Sequence, residues 1–140
     1  MGTTNGVKEL EGNFGVLDQS SDIQAVVDWF GPTDFLTVGP KETRTKFLGG
    51  DAQQNKEQAR KASPMSYVSK NSVPHLIMHG DQDTTVPIAQ SETFANALKA
   101  LGVDATFVKI EGAAHGGPLF NGDAGMKHVE DFLGKHLLSK

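Results

Sequence analysis

Three short apolar runs and two stretches of helical periodicity organise the chain. Residues 75–79 (HLIMH) form a run bounded by Pro74 and Gly80, short enough to be a strand buried on both faces. Residues 105–110 (ATFVKI) read as a second strand. Residues 23–30 (IQAVVDWF), rich in β-branched and aromatic side chains, read as a third that Gly31-Pro32 stops. Between the first two, Ile88, Phe94, Ala95, Leu98 and Leu101 recur at helical spacing. Pro87 suits the first helical position, where its missing N–H costs nothing, and Gly102 closes the element. Near the carboxyl end Met126, Val129, Leu133 and Leu137 share one apolar helix face, with Asp123 as its cap. A strand, a crossover helix and another strand form a βαβ unit, which is right-handed and parallel. The pattern predicts an α/β fold of about three mostly parallel strands with flanking helices.

The connecting segments differ in kind. Residues 1–21 hold Gly2, Gly6, Gly12 and Gly15 without periodicity and read as a loose amino-terminal segment, with Asn5-Gly6 a turn. Residues 31–72 are longer than a simple crossover needs and read as a cap-like insertion on the carboxyl side of the sheet. Within it Asp51, with Gln54 in capping-box position, starts a polar helix running to about Lys61. Ser63-Pro64 breaks that helix, and Met65, Tyr67 and Val68 form an apolar turn. No repeat or second domain is evident in 1–140, and one domain of this size buries about two thirds of its unfolded surface.

Charge and composition narrow the partners. The net charge is −4 and the lysines are scattered, so neither nucleic acid nor a membrane surface is expected to bind. No cysteine is present, which removes disulfides and thiolate metal sites. No run is apolar enough to span a bilayer and no signal peptide opens the chain, which leaves the location undetermined. His79, Asp81, Asp83 and His115 lack helical metal-site spacing, so no metal and no cofactor is expected.

The chemistry gathers at one sheet edge. In a βαβ unit the loops after both strands lie beyond the carboxyl ends, where α/β sheets place their sites, so Asp83 and His115 can meet. An acid that fixes an imidazole tautomer is two thirds of a nucleophilic triad. The segments HGDQDTTVP (79–87) and GAAHG (112–116) resemble the acid and histidine motifs of α/β-hydrolases. VVDWFGPTDF (26–35) is similar to the strand and pocket loop of the acetyl and feruloyl esterases related to prolyl oligopeptidases. The resemblance covers nearly the whole chain. It implies a serine carboxylesterase acting on acyl esters, such as acetyl or hydroxycinnamoyl groups on plant polysaccharide, with Asp83 orienting His115 as general base. The chain departs from that family in lacking the Gly-x-Ser-x-Gly elbow and the earlier Gly-rich oxyanion loop. Of Ser20, Ser21, Ser63, Ser66, Ser69, Ser72, Ser91 and Ser139, none has glycine at both −2 and +2. The resemblance therefore implies the carboxyl-terminal half of an esterase, inactive without its amino-terminal half.

Other readings of the same residues stand beside this one. Asp83 also suits a turn or a helix start, and Asp81 reads as a solvated turn residue. His79 reads as packed and hydrogen-bonded, His128 and His136 as surface residues of the last helix, and His75 carries no assigned role. Trp29, Phe30 and Phe35 either line an acyl or aromatic pocket or simply end a buried strand. Asp81-x-Asp83-x-Thr85-Val86 also resembles the nucleophile motif of haloacid-dehalogenase-type phosphatases, in which Asp81 attacks phosphorus, Asp83 is acid/base and Mg²⁺ joins them. Against that, His79-Gly80 interrupts the apolar run and no downstream acidic pair is evident. A non-catalytic, self-associating α/β domain is a further alternative. Strand 23–30 has no proline or lysine to blunt its edge, so the chain is expected to form a homo-oligomer, most simply a two-fold dimer that pairs these strands or exchanges the segment before them.

Overall fold

The computed structural model describes residues 1–13, 15, 18–39 and 42–138. Parts of the loose segment and of the insertion (14, 16, 17, 40 and 41), together with Ser139 and Lys140, lie outside the described residues. The elements run α1 (Lys8–Glu11), β1 (Val26–Trp29), α2 (Glu42–Leu48), α3 (Lys56–Ala62), a 3-10 turn (Pro64–Tyr67), β2 (His75–Gly80), α4 (Ala89–Ala100), β3 (Ala105–Ile110), α5 (Pro118–Asn121), α6 (Asp123–Leu133) and a π-helical turn (Gly134–Leu138).

The three strands form one open sheet in the order β1-β2-β3. Both pairings are parallel, with Val26 opposite His75 and His75 opposite Ala105. Side chains alternate across a strand, so β2 feeds two separate cores. Leu76 and Met78 face α5 and α6, packing with Phe120, Val129, Phe132, Val27 and Trp29. Ile77 faces α4, packing with Phe94, Ala95, Leu98 and Val103. Every residue of β2 is buried, which is why its run is continuous rather than alternating.

Several boundaries differ from the sequence expectation. β1 begins at Val26 rather than at 23, because Asn5 claims the backbone of Ile23, bonding both its N–H and its C=O. Pro87 precedes α4 instead of opening it. Leu101, at its end, is exposed. Asp51 starts no helix: it accepts the Gln53 amide on its side chain and the Gln54 and Asn55 amides on its carbonyl, and α3 begins at Lys56. The helix α2 ahead of it carried no periodic signal. Asp123 is the first residue of α6 rather than its cap, and Gly122 holds the cap position. Leu137 lies on the π-helical turn and is exposed, while Phe132 fills the core place expected of it. His136 is not on the surface: its ring packs on Phe132 at 4.7 Å and lies 3.4 Å from Asp104. His128 is exposed.

The insertion is tied down by buried polar groups. The Gln90 side-chain oxygen accepts the amides of Thr33 (3.1 Å) and Asp34 (2.8 Å), anchoring the loop after β1 to α4. The Ser63 hydroxyl donates to the Ala59 carbonyl and accepts the Phe35 amide, closing α3 onto that loop. Met65 and Val68, as the sequence suggested, turn into the core under α4.

Candidate active site

β2 ends at Gly80, and the turn that follows folds back on its own carboxylate. The Oδ1 atom of Asp83 accepts the amides of Thr85 (2.7 Å) and Val86 (2.9 Å). Its Oδ2 accepts the Nδ1–H of His115 at 2.7 Å. The Asp83 side chain is fully buried and that of His115 is 36% exposed. Burial alone would push the Asp83 carboxyl up, but the Val86 amide, the His115 ring and the Thr85 amide outweigh it. Together they hold the group below the ordinary carboxylate value. With Nδ1 engaged, the ring presents Nε2 outward, and among the described residues that atom has no hydrogen-bond partner.

Parallel pairing brings the two loops to one edge, and close backbone contact locks them there. The Asp81 amide donates to the Ile110 carbonyl and the Gln82 amide to the Ala113 carbonyl. A side chain at Gly80 would collide with the carbonyls of Ala113 and Ala114, so only glycine lets the acid and histidine loops approach this closely. Asp81 is more than a solvated turn residue. Its Oδ1 accepts the Gly112 amide at 2.8 Å, strapping one loop to the other, so the carboxylates of Asp81 and Asp83 serve different partners.

The three aromatic residues take separate places. Phe30 stacks on the His115 ring at 4.3 Å and meets Phe120 edge-on at 4.8 Å. Its φ of 48° is the one positive value outside glycine among the described residues, a strained backbone beside the exposed imidazole. Trp29 lies on the α6 side of the sheet, 5.8 Å from Phe120. Phe35 sits in the insertion against Phe47 at 5.6 Å. Two further residues engage the acid turn without having been singled out for it. His79 reaches it from the core (3.1 Å to Asp83), and its position four residues before Asp83 was the available signal. Arg44 of α2 donates to the Thr85 carbonyl at 2.7 Å and to the carbonyls of Val38 and Gly39, and no sequence pattern announces it. A cavity of about 430 Å³ lies on the α4 side of β1, lined by Val26, Asp28, Thr33, His75 and Phe94 among others, with neither Asp83 nor His115 in its wall.

The family model described as BD-FAE matches residues 1–98, a span that includes β1, the insertion, β2 and Asp83. The chain belongs to the BD-FAE family. Esterase LipC of Mycobacterium tuberculosis is 33% identical to this BD-FAE chain over 117 residues, 76% of the chain and 29% of the relative. Among solved structures, a truncated form of a carbohydrate esterase from gut microbiota superposes with a TM-score of 0.87 at 33% identity, covering 96% of this chain and 53% of that one. A bifunctional GH43-CE protein of Bacteroides eggerthii gives a TM-score of 0.86 at 34% identity, covering 96% of this chain and 19% of that one. The BD-FAE chain is an α/β-hydrolase of the esterase kind, and it spans less than a third of the LipC length and about half of the truncated esterase.

Proposed function

We propose that the chain supplies the acid and the histidine of a serine carboxylesterase, and that the serine they serve lies outside residues 1–140. The observation that carries this reading is the 2.7 Å bond from His115 Nδ1 to a buried carboxylate, with Nε2 turned to an open edge. In that arrangement Asp83 keeps the hydrogen on Nδ1, so the Nε2 lone pair can take the proton of a serine hydroxyl as its oxygen adds to an ester carbonyl. The imidazolium then returns the proton to the departing alkoxide, leaving an acyl-serine. Water, deprotonated by the same nitrogen, releases the acid. Phe30, stacked on the imidazole, forms the apolar side of the place where the acyl group would lie. The name of one similar solved structure, a carbohydrate esterase from gut microbiota, supports esters on carbohydrate as the substrate class.

Without a Gly-x-Ser-x-Gly elbow or its oxyanion donors, the purified chain is expected to be inert toward p-nitrophenyl acetate. In triad enzymes the rate that survives loss of the triad, about 10³ to 10⁴ over water, comes from the oxyanion hole and binding. Neither source is identifiable in this chain. Turnover that a serine-directed phosphonate abolishes would overturn the proposal by revealing a nucleophile among the chain's own serines.

A further inference from the structure

His79 is fully buried at the end of β2, with its ring between Ser91 of α4 and the Asp83 turn. Nδ1 lies 2.7 Å from the Ser91 hydroxyl and Nε2 lies 2.9 Å from the Val86 carbonyl. A carbonyl can only accept, so Nε2 carries the hydrogen and the Ser91 hydroxyl donates to Nδ1. A neutral ring in one tautomer satisfies both contacts. The same Nε2–H lies 3.1 Å from Asp83 Oδ2, the oxygen that also receives His115. The carboxylate is thus held by two amides on one oxygen and by the His115 N–H on the other, with the His79 ring, bonded to the Val86 carbonyl, in close polar contact with that second oxygen.

We propose that His79, oriented by Ser91, is a positioning residue that fixes the direction in which Asp83 Oδ2 faces His115. The inference rests on reading Asp83 and His115 as acid and base, and it adds a buried relay, Ser91 to His79 to Asp83, behind them. His79 Nε2–H holds the carbonyl of Val86, whose own amide binds Asp83 Oδ1, so the ring fixes the turn that aims Oδ2 at His115. The charged groups facing this cluster are Asp28 of β1, whose charge acts on His79, and Arg44 of α2, whose charge acts on Asp83.

The test uses nitrogen-proton NMR of the histidine rings in the full chain, which needs no catalytic activity. In the unaltered chain the neutral His79 ring should be the Nε2–H tautomer, and neutral His115 should be mainly Nδ1–H. His79→Leu should lower the Nδ1–H to Nε2–H ratio of His115 about fivefold, the size expected when one buried neutral hydrogen bond is lost and the Val86 carbonyl that steadies the Asp83 turn is left without its donor. His79→Gln, which keeps an N–H donor, should restore much of it. A folded His79→Leu with an unchanged His115 ratio would reduce His79 to core packing and overturn the proposal. Should His79→Leu fail to fold, Ser91→Ala decides in its place: a smaller fall in the ratio supports the relay, and none refutes it. If His115 is not Nδ1–H in the unaltered chain, it is the acid-base reading itself that fails.

Discussion

Asp28 and Asp83 respond to burial in opposite directions. Asp83 is burdened by desolvation too, but the Val86 amide, the His115 ring and the Thr85 amide outweigh it. Its depressed pKa means a contribution to stability that is present above the ordinary carboxylate value and lost as pH falls through the folded one. Asp28 is raised: burial comes first, and the Gly31 amide offsets it only in part. The folded state therefore holds that proton more tightly than the unfolded chain. Stability from this group is greatest below the ordinary carboxylate value and declines as pH rises through the raised folded one. Asp28→Asn keeps an oxygen for the Gly31 amide while removing the charge, so it should raise Tm at pH 7 by roughly 3 °C, the shift about 1 kcal/mol makes in a domain of this size. The gain should vanish in acid. Calorimetry across pH checks this, and a gain that persists at low pH would assign the effect to something other than the charge.

At the scale of elements, α6 shows how a register is chosen. Val129 and Phe132 are buried against Leu76, Met78 and Phe120, with Met126 and Leu133 at the margin, whereas Leu137 is 42% exposed beyond the point where the helix widens. Phe132→Ala should cost about 3–5 kcal/mol as a large-to-small change in a packed core. Leu137→Ala should stay within about 0.5 kcal/mol, as surface changes do. Denaturant unfolding of the two variants separates them, and equal losses would place Leu137 in the core after all.

For the whole molecule, the edge of β1 is the open question. Val26 and Phe30 give their amides to Pro74 and Met78, so by the alternation of a strand Val27 and Trp29 turn theirs to the side that has no strand among the described residues. Among the described residues, the amino-terminal segment bonds near the base of β1 through Gly2, whose carbonyl accepts the Val73 amide, and through Asn5. We propose that a second copy of the chain pairs along this edge, because a strand without proline or lysine, unpaired on one side among the described residues and beside a 430 Å³ cavity, templates strand addition. Light scattering on a size-exclusion column should give the dimer mass. A stable monomer at micromolar concentration would show that the amino-terminal segment protects the edge.

The sequence by itself determined the α/β class, the three strands, the crossover helix and the pairing of Asp83 with His115. These rest on local apolar runs and on a handedness rule that leaves one arrangement for a βαβ unit. Tertiary structure decided the rest. Asn5 shortens β1, Asp51 turns to its own neighbours instead of capping a helix, and Phe132 displaces Leu137 because the sheet, not the helix period, chooses which face is buried. The same holds at the site. Arg44 reaches the Thr85 carbonyl and Phe30 stacks on His115 across separations that no spacing rule spans. The two imidazole nitrogens within 3.1 Å of one oxygen of Asp83 come from residues 4 before and 32 after it, brought together only when neighbouring parallel strands end side by side.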